Sequence, residues 1–306
     1  MSIAHYIKEI GRGKEGARSL TRAQATDLFG LVLEGAVSDL EIGAFCLAMR
    51  IKGETRDELM GFIDAAEARI DPEATPYKAS LKPVVVIPSY NGARKLPLLT
   101  PLLALLLARE GCQVLIHGMD EGLKAVSGVP RVTSAEIFNQ LALDAKASES
   151  VAYVSISKLS PSLKKLLDVR KVVGLRNSAH SVVKLINPYR AQSDRRSVLV
   201  TSYTHPEYAL SMIETLSGLG ATALLLRGLE GEAVADPRRT PVMTGLRVGE
   251  AVVLQEMQHG SLDTLPPLPT TTDAAITARY IQSVLAGDQI VPAPIALQIQ
   301  HILKLL

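Results

Sequence analysis

The sequence predicts an α/β protein in which a small helical domain is joined to a larger α/β domain with a mostly parallel central sheet. Three observations carry that expectation. Residues up to Ile70 show only helical periodicity. From Val84 onward, short β-branched or Leu-rich runs alternate with helical stretches, as in a parallel sheet covered on both faces. A basic segment interrupts this alternation after the third strand and reads as further helix.

Thr21 is a plausible N-cap for a helix to Leu33. Ser38 caps a second amphipathic run, Leu40 to Ile51, and Glu41 completes a capping box. A third helix, Arg56 to Ile70, stops before Pro72, and Asp71 to Pro83 reads as a linker. Candidate strands are Val84 to Ile87, Gln113 to His117, Val151 to Ser155, Ser197 to Ser202, Ala223 to Leu226 and Ala251 to Leu254. Leu98 to Ala108, Ala135 to Leu143, Pro206 to Leu216 and Thr272 to Leu285 read as intervening helices. The basic segment is helical around Leu163 to Leu167 and from Ser178 to Ile186, with Ser178 as an expected N-cap. The helical domain is expected to take residues 1–75, with helices inserted at about 156–192 packing on it. The α/β domain takes 76–155 and 193–306.

With 306 residues and 47 % hydrophobic content, the chain can bury a full core. Its longest apolar stretch, Leu96 to Ala108, is interrupted by Pro97, Thr100 and Pro101, well short of the roughly 20 residues that cross a bilayer. Lys8, Glu9, Arg12 and Lys14 crowd the N-terminus, where no apolar signal region is found, so a cytoplasmic protein is expected. Cys46 and Cys112 lie in apolar patterns without His or Cys at metal-ligand spacing. They read as packed, reduced thiols, and neither a metal site nor a cofactor is expected.

The formal charge of +2 excludes little, but its distribution is uneven. Between Lys158 and Arg196, ten cations face only Asp168 and Asp194, a local net of +8. They include Lys164, Lys165, Arg170 and Lys171, then Arg176 and Lys184, then Arg190, Arg195 and Arg196. Their adjacent pairs have almost no acidic partners at i+3 or i+4, so a phosphate-binding track competes with the plainer reading of a solvated helix face. Arg238 and Arg239 follow Asp236-Pro237 and either extend the track or form an exposed turn.

The turn Pro88-Ser89-Tyr90-Asn91-Gly92-Ala93-Arg94-Lys95 follows the first strand and precedes an apolar helix. Its amides and two cations are expected at a helix N-terminus, where a small anion such as phosphate or sulfate binds. Tyr90, Asn91, Gly92, Arg94 and Lys95 are therefore candidate phosphate contacts. Tyr90 either stacks on a base or fills a pocket, and Tyr189 is a second candidate for stacking. No Asp or Glu lies between Pro83 and Arg109, so this stretch supplies no magnesium ligand. His117 and His180 read as structural hydrogen-bonding residues.

Thr21 to Glu58, with Val37-Ser38-Asp39 and Ala48-Met49-Arg50-Ile51-Lys52-Gly53-Glu54-Thr55, closely resembles the N-terminal helical region of anthranilate and nucleoside phosphoribosyltransferases. The strand, turn and helix at Val84 to Ala108, Ile116-His117-Gly118, Gly174-Leu175-Arg176 and Leu185-Ile186-Asn187-Pro188 follow in that family's order. The resemblance implies a homodimer formed through the helical domain. It also implies a pyrophosphate-cradling Gly-rich loop, acids that hold magnesium and a basic acceptor site. Where the family has Gly-Thr-Gly-Gly-Asp-Gly, this chain reads Pro88-Ser89-Tyr90-Asn91-Gly92-Ala93. Lys-His-Gly-Asn has become Ile116-His117-Gly118-Met119, and the Asp-Glu pair falls in Arg227-Gly228-Leu229-Glu230-Gly231-Glu232. These replacements, with Ile7 to Lys14, resemble the YbiB-type branch of the family. That resemblance implies a non-catalytic homologue binding DNA or RNA, single- or double-stranded, with little sequence preference through a basic groove of a homodimer. The competing expectation is an active phosphoribosyltransferase with an altered acceptor, using Glu230 and Glu232 for magnesium.

Overall fold

The structure of the protein, a computed structural model, describes residues 2–78, 80–120, 131–192 and 196–306. Its elements run α1 (Ala4–Ile10), α2 (Gly13–Gly16), α3 (Arg22–Leu33), α4 (Asp39–Lys52), α5 (Arg56–Glu67), β1 (Val84–Ser89), α6 (Thr100–Arg109) and β2 (Gln113–Gly118). The chain continues through α7 (Ser134–Phe138), α8 (Ala145–Ser150), β3 (Val151–Ser155), α9 (Ile156–Leu159), α10 (Pro161–Val173) and α11 (Ala179–Val182). It ends with β4 (Ser197–Tyr203), α12 (Glu207–Gly218), β5 (Ala223–Arg227), β6 (Met243–Arg247), β7 (Glu250–Gln255), α13 (Ala274–Ala286) and α14 (Ala293–Leu305). The chain divides into two compact units, residues 1–75 with 156–188 and residues 76–155 with 189–306.

In the helical unit, Thr21, Ser38 and Thr55 each cap a helix, and the glutamine or glutamate three residues on bonds back to the cap. These reciprocal bonds fix where α3, α4 and α5 begin. The core forms where Phe29 stacks on Phe62 at 4.7 Å between ring centroids, with Phe45 edge-on to both. Glu58 is fully buried, yet it accepts from the Leu20 amide at 2.9 Å and from Lys52 Nζ at 2.5 Å. Helix α10 packs on α3 and α11 on α5, so the inserted segment completes this bundle. Ser178 does not cap α11: its hydroxyl donates to Glu54 at 2.6 Å instead.

The α/β unit holds a seven-stranded sheet of order β3-β2-β1-β4-β5-β6-β7. The first five strands in that order are parallel, and β6 and β7 are antiparallel. Val85, Ile87, Val114, Ile116, Val198, Val200, Leu224 and Leu226 join one buried cluster with the leucines of α6 and the apolar faces of α13 and α14. Reading the sequence alone missed α14, whose buried Ile295, Ile299, Ile302 and Leu305 keep helical spacing behind Pro292 and Pro294. It also missed β6, which contains Gly245 and turns into β7 through Val248 and Gly249, both at positive φ. The helix expected to reach Leu143 ends at Phe138, and a separate α8 begins after the capping residue Asp144.

Candidate functional site

Strands β1 and β4 pair only from Val84↔Ser197 to Val86↔Leu199, while β1 stays paired with β2 as far as Ser89↔Gly118. Pro88, which has no N–H for a ladder, therefore stands where β1 has lost one neighbour. The order of strands reverses at this β1/β4 boundary. Open α/β sheets take their ligands at such a crevice, beyond the carboxyl ends of the strands.

Here the crevice is filled from within by the loop after β5. Glu232 is fully buried: Oε1 accepts from the amides of Asn91 at 2.6 Å and Gly92 at 2.7 Å, and Oε2 accepts from the Ser89 hydroxyl at 2.6 Å. The Gly231 carbonyl accepts from Asn91 Nδ2 at 2.6 Å and Ser202 Oγ at 3.1 Å. Glu230 accepts from the amides of Arg94 at 2.5 Å and Lys95 at 2.9 Å. Arg131 Nη1 braces the turn by donating to the Asn91 carbonyl at 3.1 Å. The backbone is shaped for this closure: a Cβ on Gly228 would lie 1.9 Å from the Glu232 carbonyl oxygen, and Gly92 sits at φ 66°.

These contacts change what the turn can do. The anion it holds in this structure is a pair of the chain's own carboxylates, brought in from residues far along the sequence. Arg94 and Lys95 do not lie at a helix N-terminus, because α6 begins only at Thr100 after the N-cap Leu99. A magnesium ion takes carboxylate oxygens as ligands, but the oxygens of Glu230 and Glu232 already face hydrogen-bond donors. In this arrangement the two acids do not fit a magnesium site.

Tyr90 fills a pocket. Its hydroxyl meets His117 Nδ1 at 2.8 Å and its ring stands edge-on to the imidazole. Burial, then Tyr153, Glu232 and Asp120, push its phenol well above the ordinary range. Tyr189 is also unavailable for stacking, since it is fully buried and donates to the Pro76 carbonyl.

The cations fall into separate sets. In the α/β unit, Lys95, Arg238 and Arg239 line one cavity of about 850 Å³ together with Arg227 and His259, which were not anticipated. Asp236 lies in the same lining and accepts both guanidinium arms of Arg238 at 2.9 Å, with Arg239 at 3.3 Å. Burial works to raise the Asp236 carboxyl, but the hydrogen bonds and charge of Arg238, with the charge of Arg239, hold it below its usual value. Arg94 is exposed on the turn, Arg190 is half-buried and Arg196 donates to the Leu306 carbonyl. Arg195 lies outside the described residues.

In the helical unit, the expected lack of acidic partners is corrected by Asp168, which pairs with both Lys164 and Lys171 on α10. Lys165 is exposed on the same helix. Arg170 is half-buried, five residues or about 140° around the axis from Lys165, so these cations do not share one stripe. Arg176, Arg170 and Lys184 instead act together on His180. Burial first, and then these charges, lower its pKa to about 4, against a hydrogen bond from Nδ1 to the Asn177 carbonyl that works to raise it. Among the described residues, no helix is long and apolar enough to cross a membrane.

A capped helical bundle, joined in one chain to a sheet with its crevice at the β1/β4 switch, defines a protein of the phosphoribosyltransferase fold. The helical-bundle domain of the glycosyl transferase family matches residues 4–69. The Escherichia coli K12 protein YbiB is 37 % identical over 310 residues, covering 98 % of this chain and 92 % of that one. Anthranilate phosphoribosyltransferase of Methylocella silvestris is 28 % identical over 229 residues, 72 % of this chain and 62 % of the enzyme. Among solved structures, anthranilate phosphoribosyltransferase (TrpD) of Thermus thermophilus superposes with a TM-score of 0.69 at 22 % identity, over 96 % of this chain and 85 % of that one. The chain belongs to the anthranilate phosphoribosyltransferase-like family, in its YbiB-type branch.

Proposed function

We propose that this protein is a non-catalytic member of its family that binds DNA or RNA with little sequence preference, as a homodimer. The observation that carries the reading is the filled crevice. Ser89, Asn91, Gly92, Arg94 and Lys95 spend their donors on Glu230 and Glu232, so a sugar diphosphate and its metal would have to displace two internal carboxylates. The cations Lys95, Arg227, Arg238 and Arg239 gather around an open cavity beside it. With Tyr90 half-buried and held by His117, and Tyr189 fully buried, binding rests on charge rather than base stacking. Dimerisation through the helical unit is supported by α4, which leaves Leu40, Leu47 and Ile51 exposed at i, i+7 and i+11.

The test is a gel-shift series with random single- and double-stranded oligonucleotides at several salt concentrations. Six phosphate contacts give a log–log salt slope of about −4 to −5. The paired reversals Lys164→Glu with Lys165→Glu, and Arg238→Glu with Arg239→Glu, weaken binding to all sequences alike. Salt-independent binding, or none to any oligonucleotide, overturns the proposal. The second reading, a phosphoribosyltransferase with an altered acceptor, is favoured by the Methylocella silvestris relative. It requires saturable, magnesium-dependent binding of phosphoribosyl pyrophosphate.

A further inference from the structure

Glu230 differs from Glu232 in three respects. It is half-buried rather than sealed, its backbone sits at φ 52° where L side chains rarely rest, and its side chain borders the cationic cavity. Lys95, whose amide it occupies, borders that cavity too. The carboxylate on the Arg94 and Lys95 amides is thus reachable by whatever enters beside Arg227, Arg238 and Arg239. We propose that Glu230 is a displaceable internal anion guarding a subsite for a phosphate monoester.

This inference rests on the reading that the cavity takes polyanions, and it names which part of one is held there. A backbone phosphodiester carries a single charge and has no electrostatic advantage over the tethered carboxylate it must replace. A monoester carries close to two charges at neutral pH and offers three strong acceptor oxygens. It can take both amides and still face Lys95 and the arginines. The free chemistry is shared by inorganic phosphate and by the phosphorylated end of an oligonucleotide. Glu232, with three donors and no exposed surface, stays in place as the structural half of the loop.

The experiment titrates inorganic phosphate, and separately one oligonucleotide with a 5′-phosphate or a 5′-hydroxyl, into the full chain, Glu230→Gln and Glu230→Gly. Removing the competitor tightens phosphate binding in both variants by about tenfold or more, the scale of a charge-assisted hydrogen bond. Glycine relieves the left-handed backbone but removes the two hydrogen bonds of the carboxylate, so thermal unfolding of Glu230→Gly serves to establish that the variant is folded. A preference for the 5′-phosphate assigns the subsite to strand ends, and tightened phosphate without that preference assigns it to the free ion. Phosphate affinity within twofold of native in both folded variants overturns the proposal. Failure of both oligonucleotides to bind while phosphate tightens sinks the nucleic-acid reading and leaves the subsite standing.

Discussion

Replacing Glu232 with alanine tests whether the filled crevice holds the α/β unit together. The substitution strips the acceptor from the Ser89 hydroxyl and from two amides that reach a side chain with no exposed surface. A buried donor left without a partner costs about 1–3 kcal/mol. The three share one carboxylate, and the Ser89 hydroxyl keeps Ser134 at 2.7 Å, so their losses do not simply add. The expected destabilisation is about 3–5 kcal/mol, a large part of the roughly 5–15 kcal/mol that folded domains possess. Glu232→Gln keeps one acceptor for the amides, and the Ser89 hydroxyl can turn to accept from the new amide group. Its cost is about 1–2 kcal/mol. The assay is urea unfolding followed by circular dichroism, because the chain has no tryptophan. Alanine and glutamine variants that both lie within about 1 kcal/mol of native would refute the reasoning.

Lys52→Met leaves Glu58 charged and buried without its 2.5 Å partner, and unfolding should become easier by about 3–5 kcal/mol in the same assay. His180 has a folded pKa of about 4 against an ordinary 6.5, so its stabilising contribution is complete above pH 6.5 and lost as pH falls toward 4. Native protein should lose up to about 3 kcal/mol relative to His180→Gln across that window, and parallel pH profiles would contradict it. Burial pushes the thiols of Cys46 and Cys112 up to about 11, so an aromatic disulfide reagent at pH 8 should label neither until the chain is unfolded. Leu47→Glu with Ile51→Glu should convert a dimer to a monomer in light scattering, whereas an unchanged mass would place any contact elsewhere.

Much of the fold was legible because its signals are local. Thr21, Ser38 and Glu41 announce helix starts from the residues beside them, and Val84-Val85-Val86-Ile87 announces a buried strand. Strand β6 was hidden because its Met-Thr-Gly-Leu-Arg sequence has little β-branched content and its pairing partner supplies the order. The site was less legible for a related reason. Ser89 to Lys95 is recognisable as a turn rich in donors, but the acceptors come from Glu230 and Glu232, and nothing local ties them to those amides. The pairing of Asp168 with Lys164 and Lys171 was open to helical spacing and was overlooked in the count of cations, whereas nothing local shows that Arg227 at the end of β5 joins Arg238 and Arg239 around one cavity.

Calorimetric titration with phosphoribosyl pyrophosphate and magnesium bears most directly on the filled crevice. The internal carboxylates predict that magnesium adds nothing to donor binding, and that any heat at millimolar donor is the weak, metal-independent binding of its phosphate monoester beside Glu230. Tight, magnesium-dependent binding would contradict the account, because it would require Glu230 and Glu232 to release the turn and serve as metal ligands.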